Sequence, residues 1–122
     1  MNQILIVEDE IRLAAFLQKG LRKKGYITTV VEDGQQAVEM ASSKQFNLML
    51  LDLGLPVKDG LTVLQELRNQ GKKLPIIIMT ARSDEREKTE AIAYGADDYL
   101  TKPFPFQDLL SRIEEYLCLV TG

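Results

Sequence analysis

Short apolar runs recur along the chain at fairly even intervals, and a longer stretch with a different spacing follows each of them. Every run has the length of a strand and consists mostly of branched or aliphatic residues. The five runs are QILIV from Gln3, ITTVV from Ile27, NLMLL from Asn47, PIIIM from Pro75 and DYLT from Asp98. This pattern predicts five β-strands.

The stretches between the runs carry apolar residues three or four positions apart, which is the spacing of an amphipathic helix. The clearest positions are Leu13, Phe16, Leu17, Gly20 and Leu21, then Ala37, Met40 and Ala41, and finally Phe106, Leu109, Leu110, Ile113 and Leu117. Glycine readily adopts the left-handed conformation that ends many helices, and it predicts helix ends at Gly25, Gly71 and Gly95. A fourth helix, over roughly residues 84–94, has little to bury beyond Ala91, Ile92 and Ala93, so we expect it to be docked most loosely.

Strands and helices alternate, and two of the strands are apolar without a break. Residues 48–51 and 76–79 form continuous apolar runs, which favour strands covered by helices on both faces. The alternating order predicts an α/β fold with a parallel sheet and right-handed crossovers. The 122 residues fit one domain, 1–122, because domains of about 100 to 150 residues are the commonest.

Composition and charge exclude several classes of protein. The hydrophobic content of 45% and the charged content of 27% are those of a globular protein. A net charge of −3 lacks the basic surface that binding of a nucleic-acid backbone requires. The absence of histidine removes every mechanism that needs an imidazole on this chain.

The sequence shows neither a membrane span nor a secretion signal. No apolar run approaches the length of about 20 residues that a span needs, and the start MNQILIVEDE becomes acidic too early for a signal peptide. The single cysteine, Cys118, has no second cysteine for a disulfide. We therefore expect a cytoplasmic protein that makes no contact with a membrane, with Cys118 as a small apolar residue of a helix.

Polar and charged residues follow four of the predicted strands. In an open parallel sheet, ligands bind beyond the carboxyl ends of the strands. The residues at these ends are Glu8 and Asp9 after the first strand, Asp52 after the third, Thr80 after the fourth and Lys102 after the fifth. They are predicted to converge on one edge of the sheet.

The carboxylates of this edge predict a metal site for phosphoryl chemistry. Glu8, Asp9 and Asp52 would repel one another, and Mg²⁺, a hard cation that prefers oxygen ligands, would hold them together. With Lys102 and Thr80, such a cation would stabilise the oxygens of a phosphoryl group.

Asp52 is the candidate nucleophile, because a carboxylate can attack phosphorus to give an aspartyl phosphate. Ala81 would leave room for the phosphoryl group, and Gly54 would offer its backbone carbonyl to the metal. Taken singly, acidic residues at a helix start, a hydroxyl after a strand and a Lys-Pro pair all have ordinary structural explanations. Only their combination on one sheet edge favours a functional site.

The same residues lie in motifs that resemble the receiver domain of bacterial two-component response regulators. The motifs are VEDE with Glu8 and Asp9, LLDLGLP with Asp52, DG at Asp59 and Gly60, MTAR with Thr80, and GADDYLTKPF with Tyr99, Lys102 and Pro103. The resemblance covers Gln3 to about Leu117. It implies a flavodoxin-like, doubly wound sheet with the strand order 2-1-3-4-5 and five helices.

By this resemblance, Asp52 accepts a phosphoryl group from a histidine on a partner, either a sensor histidine kinase or a phosphotransfer protein. The family pattern assigns Asp9, Asp52 and the carbonyl of Gly54 to Mg²⁺ directly, with Glu8 assisting through water. The protein would then be a signalling switch rather than an enzyme, apart from self-phosphorylation and slow self-dephosphorylation at Asp52.

The resemblance also implies a conformational change. Lys102 would contact the acyl phosphate, with a cis peptide bond to Pro103. Thr80 would move toward the phosphoryl group while Tyr99 turns inward, which repacks the face made by the fourth helix, the fifth strand and the fifth helix.

The chain is most similar to the subfamily whose receivers carry a C-terminal winged-helix DNA-binding domain and control transcription. Its phosphorylated receivers dimerise through that face, and the interface bridges expected here join Lys88 to Asp108 and Asp97 to Arg112 across a two-fold axis. DNA would be bound only through a separate effector domain outside this chain.

Two positions depart from the family pattern. Val57 stands where a small or polar residue is common, and Lys58 stands where an apolar residue is common. The loop after Asp52 is therefore expected to behave differently from that of other receivers.

Two other functions fit parts of the same pattern. A metal-dependent phosphohydrolase would use the aspartyl phosphate as a turnover intermediate, and a receiver-like binding module would keep the fold without phosphorylation. The sequence shows no second catalytic acid or substrate-binding cap, and it lacks none of the expected site residues. Both observations favour the switch.

Overall fold

The structure is a computed structural model that describes residues 2–81 and 85–121. Its strands are β1 (Gln3–Val7), β2 (Ile27–Val31), β3 (Leu48–Asp52), β4 (Ile76–Thr80) and β5 (Asp98–Thr101). Its helices are α1 (Ile11–Lys23), α2 (Gly34–Ser43), α3 (Gly60–Asn69), α4 (Glu85–Ala93) and α5 (Phe106–Thr121). Every predicted strand and helix is therefore present. Residue 84, at the predicted start of the fourth helix, lies outside the described residues.

The strands form one parallel sheet in the order β2-β1-β3-β4-β5. The predicted α/β fold and its strand order are thus confirmed. Strands β3 and β4 run one residue further than their apolar runs, because Asp52 pairs with Met79 and Thr80 pairs with Thr101 in the ladders. Asp52 and Thr80 are therefore held by the sheet itself and not by loops.

Helices cover both faces of the sheet, which explains the unbroken apolar runs. Successive strand residues point to opposite faces, so Ile4 and Ile6 pack in one core with α1 and α5. Leu5 and Val7 pack in the other core, against α2, α3 and α4. All four of these side chains are fully buried.

Glycines end three helices as predicted. Gly25, Gly71 and Gly95 have φ values of 93°, 81° and 107°, in the left-handed region that glycine adopts without strain. Two helix starts that the sequence pattern did not reveal are capped by aspartates. The carboxylate of Asp33 accepts the amide of Gln36, and that of Asp59 accepts the amide of Thr62.

The helices differ in how much they bury. Helix α4 buries only Ala91, and Ile92 is 47% exposed, which agrees with the expectation of loose docking. In α1, Phe16 was expected to face the core from its spacing, but it is 58% exposed. Its ring packs edge-to-face on Phe106 with the ring centroids 5.8 Å apart, because Ala14 takes an inward position instead.

The start of α3 lies directly against the end of β3. The amide of Gly60 donates to the carbonyl of Leu53 at 3.0 Å. A Cβ atom on Gly60 would lie 2.4 Å from the carbonyl oxygen of Asp52 and 2.6 Å from the Cα of Leu53. Only glycine allows this approach, which fixes the backbone at Asp52.

This approach predicts that Gly60→Ala is strongly destabilising. The added methyl group meets backbone atoms that cannot move independently, so we expect the free energy of unfolding to fall by about 3 kcal/mol. Urea denaturation measures the loss. Gly25→Ala is the control: it has no atom within 4 Å of its Cβ position and should cost only about 1 kcal/mol for the left-handed backbone. Equal losses of the free energy of unfolding in the two variants would mean that the close contact at Gly60 does not cause the destabilisation.

Candidate functional site

The carboxyl ends of the strands bring together the polar residues that the sequence predicted. Glu8 and Asp9 follow β1, Asp52 ends β3 and Thr80 ends β4. Lys102 follows β5 immediately, and its amide donates to the carbonyl of Thr80 at 2.8 Å. Because the strands are parallel, all of these ends lie on one edge of the sheet. They flank the topological switch point between β1 and β3, where the strand order reverses.

Three carboxylates form a cluster at this edge. One oxygen from each of Glu8, Asp9 and Asp52 lies within 4.8 Å of the others. Glu8 and Asp52 are 1% and 7% exposed, whereas Asp9 is open to solvent. Carboxylate oxygens that converge with one side open to water form the donor set that Mg²⁺ prefers. The residues present therefore fit the predicted cation.

Lys102 is the positive charge within the cluster. Its ammonium Nζ lies 2.7 Å from Oε1 of Glu8 and 3.3 Å from Oδ2 of Asp52. Burial lowers the pKa of Lys102, but the hydrogen bonds and charges of Glu8 and Asp52 outweigh it, so the pKa of Lys102 is raised. The Lys102–Pro103 peptide bond is cis, as expected.

Glu8 is the most buried of the three acids. Its Oε1 pairs with Lys102 and its Oε2 accepts the amide of Glu10 at 3.1 Å, so both carboxylate oxygens already have protein partners. Burial raises the pKa of Glu8, against the lowering effect of Lys102 and of the Glu10 amide. Of the three acids, Asp9 is the one that is open to solvent.

Asp52 is held by the loop that follows it. Its Oδ1 accepts the amide of Gly54 at 3.1 Å, and its Oδ2 faces Lys102. The neighbouring Leu53 and Leu55 are buried, so the loop is anchored on both sides of Gly54. This geometry leaves one carboxylate poised between a backbone amide and an ammonium group.

The other predicted residues of the site lie near the same edge. Thr80 is 1% exposed at the end of β4, and Ala81 beside it is exposed. Tyr99, on β5, is partly buried. The ammonium of Lys88 lies 5.9 Å from the centroid of the Tyr99 ring, which is a cation–π distance.

Two of the four charges expected at a dimer interface, Asp97 and Arg112, form ion pairs within the chain. Asp97 accepts Nη2 of Arg68 at 3.0 Å, and Arg112 donates to Asp98 at 2.6 Å. Tyr116 donates its hydroxyl to the carbonyl of Asp97. Burial and the charge of Asp98 raise the pKa of Tyr116 to about 12. Any bridge from Asp97 to Arg112 of another copy has to compete with these contacts.

Two basic residues that the sequence analysis left without a role connect secondary-structure elements: Lys58 in the loop after β3, and Arg68 at the edge of the sheet opposite the site. Arg68, in the last turn of α3, donates to the carbonyls of Lys72, Leu74 and Gly95 as well as to Asp97. Lys58 pairs with Glu66. The only signal in the sequence was a basic residue near a helix end or a turn, which is too common to identify a tertiary partner.

A separate cleft of about 360 Å³ lies at the opposite edge of the sheet. Its lining includes Phe46, Leu74 and Pro75, with Lys44 and Lys73 at its rim. It contains none of the carboxylates described above. The cleft is therefore separate from the candidate site at the acidic edge.

The fold and the edge together define a doubly wound α/β protein with a carboxylate cluster that could hold a cation at the carboxyl ends of its strands. Residues 4–114 match the response regulator receiver domain family. The chain therefore belongs to the response regulator receiver domain family.

Two curated relatives match nearly all of the chain. The two-component response regulator PhoP of Pseudomonas aeruginosa is 42% identical over 120 residues, which are 98% of this chain and 53% of that protein. The response regulator ArlR of Staphylococcus aureus is 45% identical over 117 residues, which are 96% of this chain and 53% of that protein. The chain thus spans about half the length of these relatives.

Solved receiver domains share the whole fold. The receiver domain of the Francisella response regulator 1452 has a TM-score of 0.94 at 30% identity, covering 98% of this chain and 99% of that chain. The receiver domain of the sensor histidine kinase PA1611 from P. aeruginosa, solved with magnesium coordinated in its active-site cleft, has a TM-score of 0.87 at 34% identity. It covers 95% of this chain and 97% of that chain.

Within the described part of this chain, no helix is both long and apolar enough to cross a membrane.

The charge imbalance of the cluster predicts opposite effects of Asp52→Asn on folding and on metal binding. Removing one of three crowded negative charges relieves repulsion, so we expect the metal-free protein to gain about 1 kcal/mol in its free energy of unfolding. The rise in melting temperature that Mg²⁺ causes in the unsubstituted protein should largely disappear. Thermal denaturation without Mg²⁺ and with Mg²⁺ at about 10 mM measures the stability of the metal-free protein and its response to the metal.

The control for this substitution is Asp59→Asn, which changes the same charge nearby but keeps an N-cap side chain on α3. It should leave the metal response intact. If both variants lose the response to Mg²⁺ equally, the cluster is not the metal site.

Proposed function

We propose that this chain is the phospho-accepting switch of a two-component system, with Asp52 as the acceptor. The observation that carries the proposal is the position of Asp52, buried among two further carboxylates with the ammonium of Lys102 at 3.3 Å. The donor is a histidine of a partner sensor kinase or phosphotransfer protein. The 122 residues contain no histidine, so the donor imidazole has to lie outside them.

The transfer step uses groups that already surround Asp52. A carboxylate oxygen of Asp52 attacks phosphorus, the bond from phosphorus to the donor imidazole breaks, and the imidazole leaves with its electron pair. The ammonium of Lys102 stabilises the charge on the phosphoryl oxygens, and the Gly54 amide keeps the acceptor carboxylate oriented. Ala81 leaves room for the incoming group.

Asp9, Asp52 and the carbonyl of Gly54 are the residues proposed to hold Mg²⁺, with Glu8 assisting through water. The cation, when bound, supplies positive charge against the acceptor and the transferring group. The pairing of Glu8 with Lys102 at 2.7 Å supports an indirect part for Glu8, because this carboxylate is already compensated. Magnesium in the active-site cleft of the PA1611 receiver domain supports the choice of metal.

Phosphorylation is proposed to act through Thr80 and Tyr99. Thr80 moves toward the phosphoryl group, and Tyr99 turns into the space that Thr80 vacates. Lys88 on α4 lies over the Tyr99 ring, so rotation of the ring changes a contact of α4. The small buried surface of α4 supports this route, since only Ala91 has to be repacked.

The face formed by α4, β5 and α5 is the proposed output surface, through which two phosphorylated copies dimerise. Lys88 would pair with Asp108, and Asp97 with Arg112, across a two-fold axis. In the single chain Asp97 is paired with Arg68, and Arg112 with Asp98. Phosphorylation would therefore have to shift existing ion pairs rather than recruit unpaired charges.

The relatives suggest the biological setting. We treat residues 1–122 as a single receiver domain whose output is control of transcription in the cytoplasm. DNA would be bound through a separate winged-helix effector domain, and not through this chain. The length of PhoP and ArlR, about twice that of the matched region, supports this view. The chain's own chemistry would be limited to phosphorylation and slow dephosphorylation of Asp52.

Labelling with a small phosphodonor tests the proposed acceptor. Incubation with acetyl phosphate and Mg²⁺ should add one phosphoryl group per chain, seen as a single mass increase. Asp52→Asn should reduce labelling by at least about a hundredfold, because it removes the nucleophile. Asp59→Asn, the matched control, should be labelled normally.

The outcome also separates the alternatives. Continuous release of phosphate over many turnovers would indicate a phosphohydrolase, and no labelling of a folded protein would indicate a binding module. Labelling that survives in Asp52→Asn would assign the acceptor to another residue.

Sedimentation tests the output face. With beryllofluoride and Mg²⁺, which mimic a phosphoryl group on a carboxylate, we expect the monomer to shift toward a dimer. Arg112→Ala should weaken this dimer about fivefold or more, since ion pairs between partners contribute on the order of 1 kcal/mol. Lys23→Ala, on α1, should not change it. A monomer at all concentrations would contradict dimerisation through this face.

A further inference from the structure

Val57, between β3 and α3, has a backbone conformation that β-branched residues rarely adopt. Its φ is 69°, and it is the only residue other than glycine with a positive φ in the part of the chain that the structure describes. The amide of Lys58 donates to the carbonyl of Pro56 at 2.7 Å, which closes a three-residue turn at residues 56–58. A turn of this kind is strained. Val57 is 80% exposed, so the packing of its side chain does not hold the turn in place.

An ion pair connects the 56–58 turn to helix α3. The ammonium of Lys58 lies 2.8 Å from both carboxylate oxygens of Glu66. The side chain of Lys58 is only 21% exposed although it carries a charge. Glu66 lies in the middle of α3, so the pair ties the turn to a rigid element.

Helix α2 supports the same turn from the other side. The amide of Gly34, the first residue of α2, donates to the carbonyl of Pro56 at 3.3 Å. A Cβ atom on Gly34 would lie 1.8 Å from the carbonyl oxygen of Lys58. The turn is thus pressed against the start of α2 so closely that only glycine fits there.

The 56–58 turn is also close in sequence to the acceptor. Gly54 lies two residues before Pro56, and its amide donates to Oδ1 of Asp52. On the far side of the turn, Gly60 donates to the carbonyl of Leu53. Hydrogen bonds therefore hold the loop on both sides of the turn. Because only one residue separates Gly54 from Pro56, a displacement of the turn is expected to shift the backbone of Gly54.

We propose that Lys58 is a positioning residue: through its ion pair with Glu66 it holds Val57 in the strained turn and so keeps the backbone of Gly54 in place beside Asp52. The inference rests on the proposed function, in which Asp52 accepts the phosphoryl group and the carbonyl of Gly54 binds Mg²⁺. Lys58 acts through the loop and does not contact the reacting atoms.

Hydrogen exchange of the metal-free protein tests the mechanical part. Lys58→Met keeps the length of the side chain but removes the ion pair. It should speed exchange of the amides of Lys58 and Gly34, both of which donate to Pro56, by about two- to fivefold. Lys73→Met, at the opposite edge of the sheet, should leave both amides unchanged. Unchanged exchange in Lys58→Met would overturn the proposal.

Substitution of Val57 tests whether strain is what the ion pair opposes. Glycine adopts a positive φ without strain, so Val57→Gly should raise the melting temperature, by roughly 3 °C or more. In the Val57→Gly background, Lys58→Met should lower the melting temperature less than it does in the original chain. Strictly additive effects of the two substitutions would show that Lys58 and the turn are uncoupled.

Exchanging the two charges of the Lys58–Glu66 ion pair tests whether the pair itself protects the turn. The double variant Lys58→Glu, Glu66→Lys should restore slow exchange of the Gly34 amide, whereas either substitution alone should not. Failure of the reversed pair to protect this amide, with both single variants folded, would count against an electrostatic tie.

Metal titration tests the functional part. Lys58→Met should weaken Mg²⁺ binding, followed by nuclear magnetic resonance shifts of the Gly54 amide, by about two- to fivefold, matching the exchange result. Phosphorylation by acetyl phosphate should then slow at limiting Mg²⁺ and recover at saturating Mg²⁺. A loosened turn with unchanged Mg²⁺ affinity would overturn the positioning role. Absence of labelling in the unsubstituted chain would instead refute Asp52 as acceptor, and the exchange result would still decide whether Lys58 holds the turn.

Discussion

The electrostatic imbalance at the carboxyl edge of the sheet is the constraint on which the rest of the structure depends. Three carboxylates lie within 4.8 Å of one another, and two unit charges about 4 Å apart near a protein surface interact by about 4 kcal/mol. Lys102 compensates Glu8 and Asp52 but leaves a local charge of minus two. A folded chain tolerates such repulsion only if other interactions hold the acids rigidly, and a divalent cation carries the charge that would balance it.

The rigidity comes from the way in which the sheet and its loops are built. Asp52 belongs to the ladder of β3, between buried neighbours, so its backbone cannot retreat from the other acids. Gly60 and Gly34 allow the starts of α3 and α2 to press on the following loop. The strain at Val57, on the order of 1–3 kcal/mol, exceeds what an ion pair near the protein surface usually contributes, about 1 kcal/mol or less. The packing at Gly34 must therefore share in holding that turn.

The strand order was implied by the resemblance to receiver domains. Local pattern was sufficient to predict the strands and the edge at which Asp52 lies, because the period of apolar residues and the alternation of strands and helices determine these features. It was insufficient for charge pairing. No feature of the sequence indicated that the carboxylate of Glu8 pairs with Lys102, 94 positions away. The spacing that placed Phe16 inward also could not show that Phe106 would pack on it from outside the core. The contacts of long side chains depend on which residues lie close together in the folded state. The pattern of residues along the sequence does not contain this information.

The same reasoning identifies the element that can respond to a change at the acidic edge. Helix α3 buries Val63, Leu64 and Leu67, each worth about 1.5–3 kcal/mol, whereas the methyl group of Ala91 in α4 contributes less than about 1 kcal/mol. The C-terminal end of α4 is fixed, since Arg68 binds the carbonyl of Gly95. A perturbation of about 1.4 kcal/mol changes a population tenfold, so it would move α4 long before it moved α3. Under the proposed function, the weak burial of α4 would allow a small chemical change at the acidic edge to have a structural consequence at a distance.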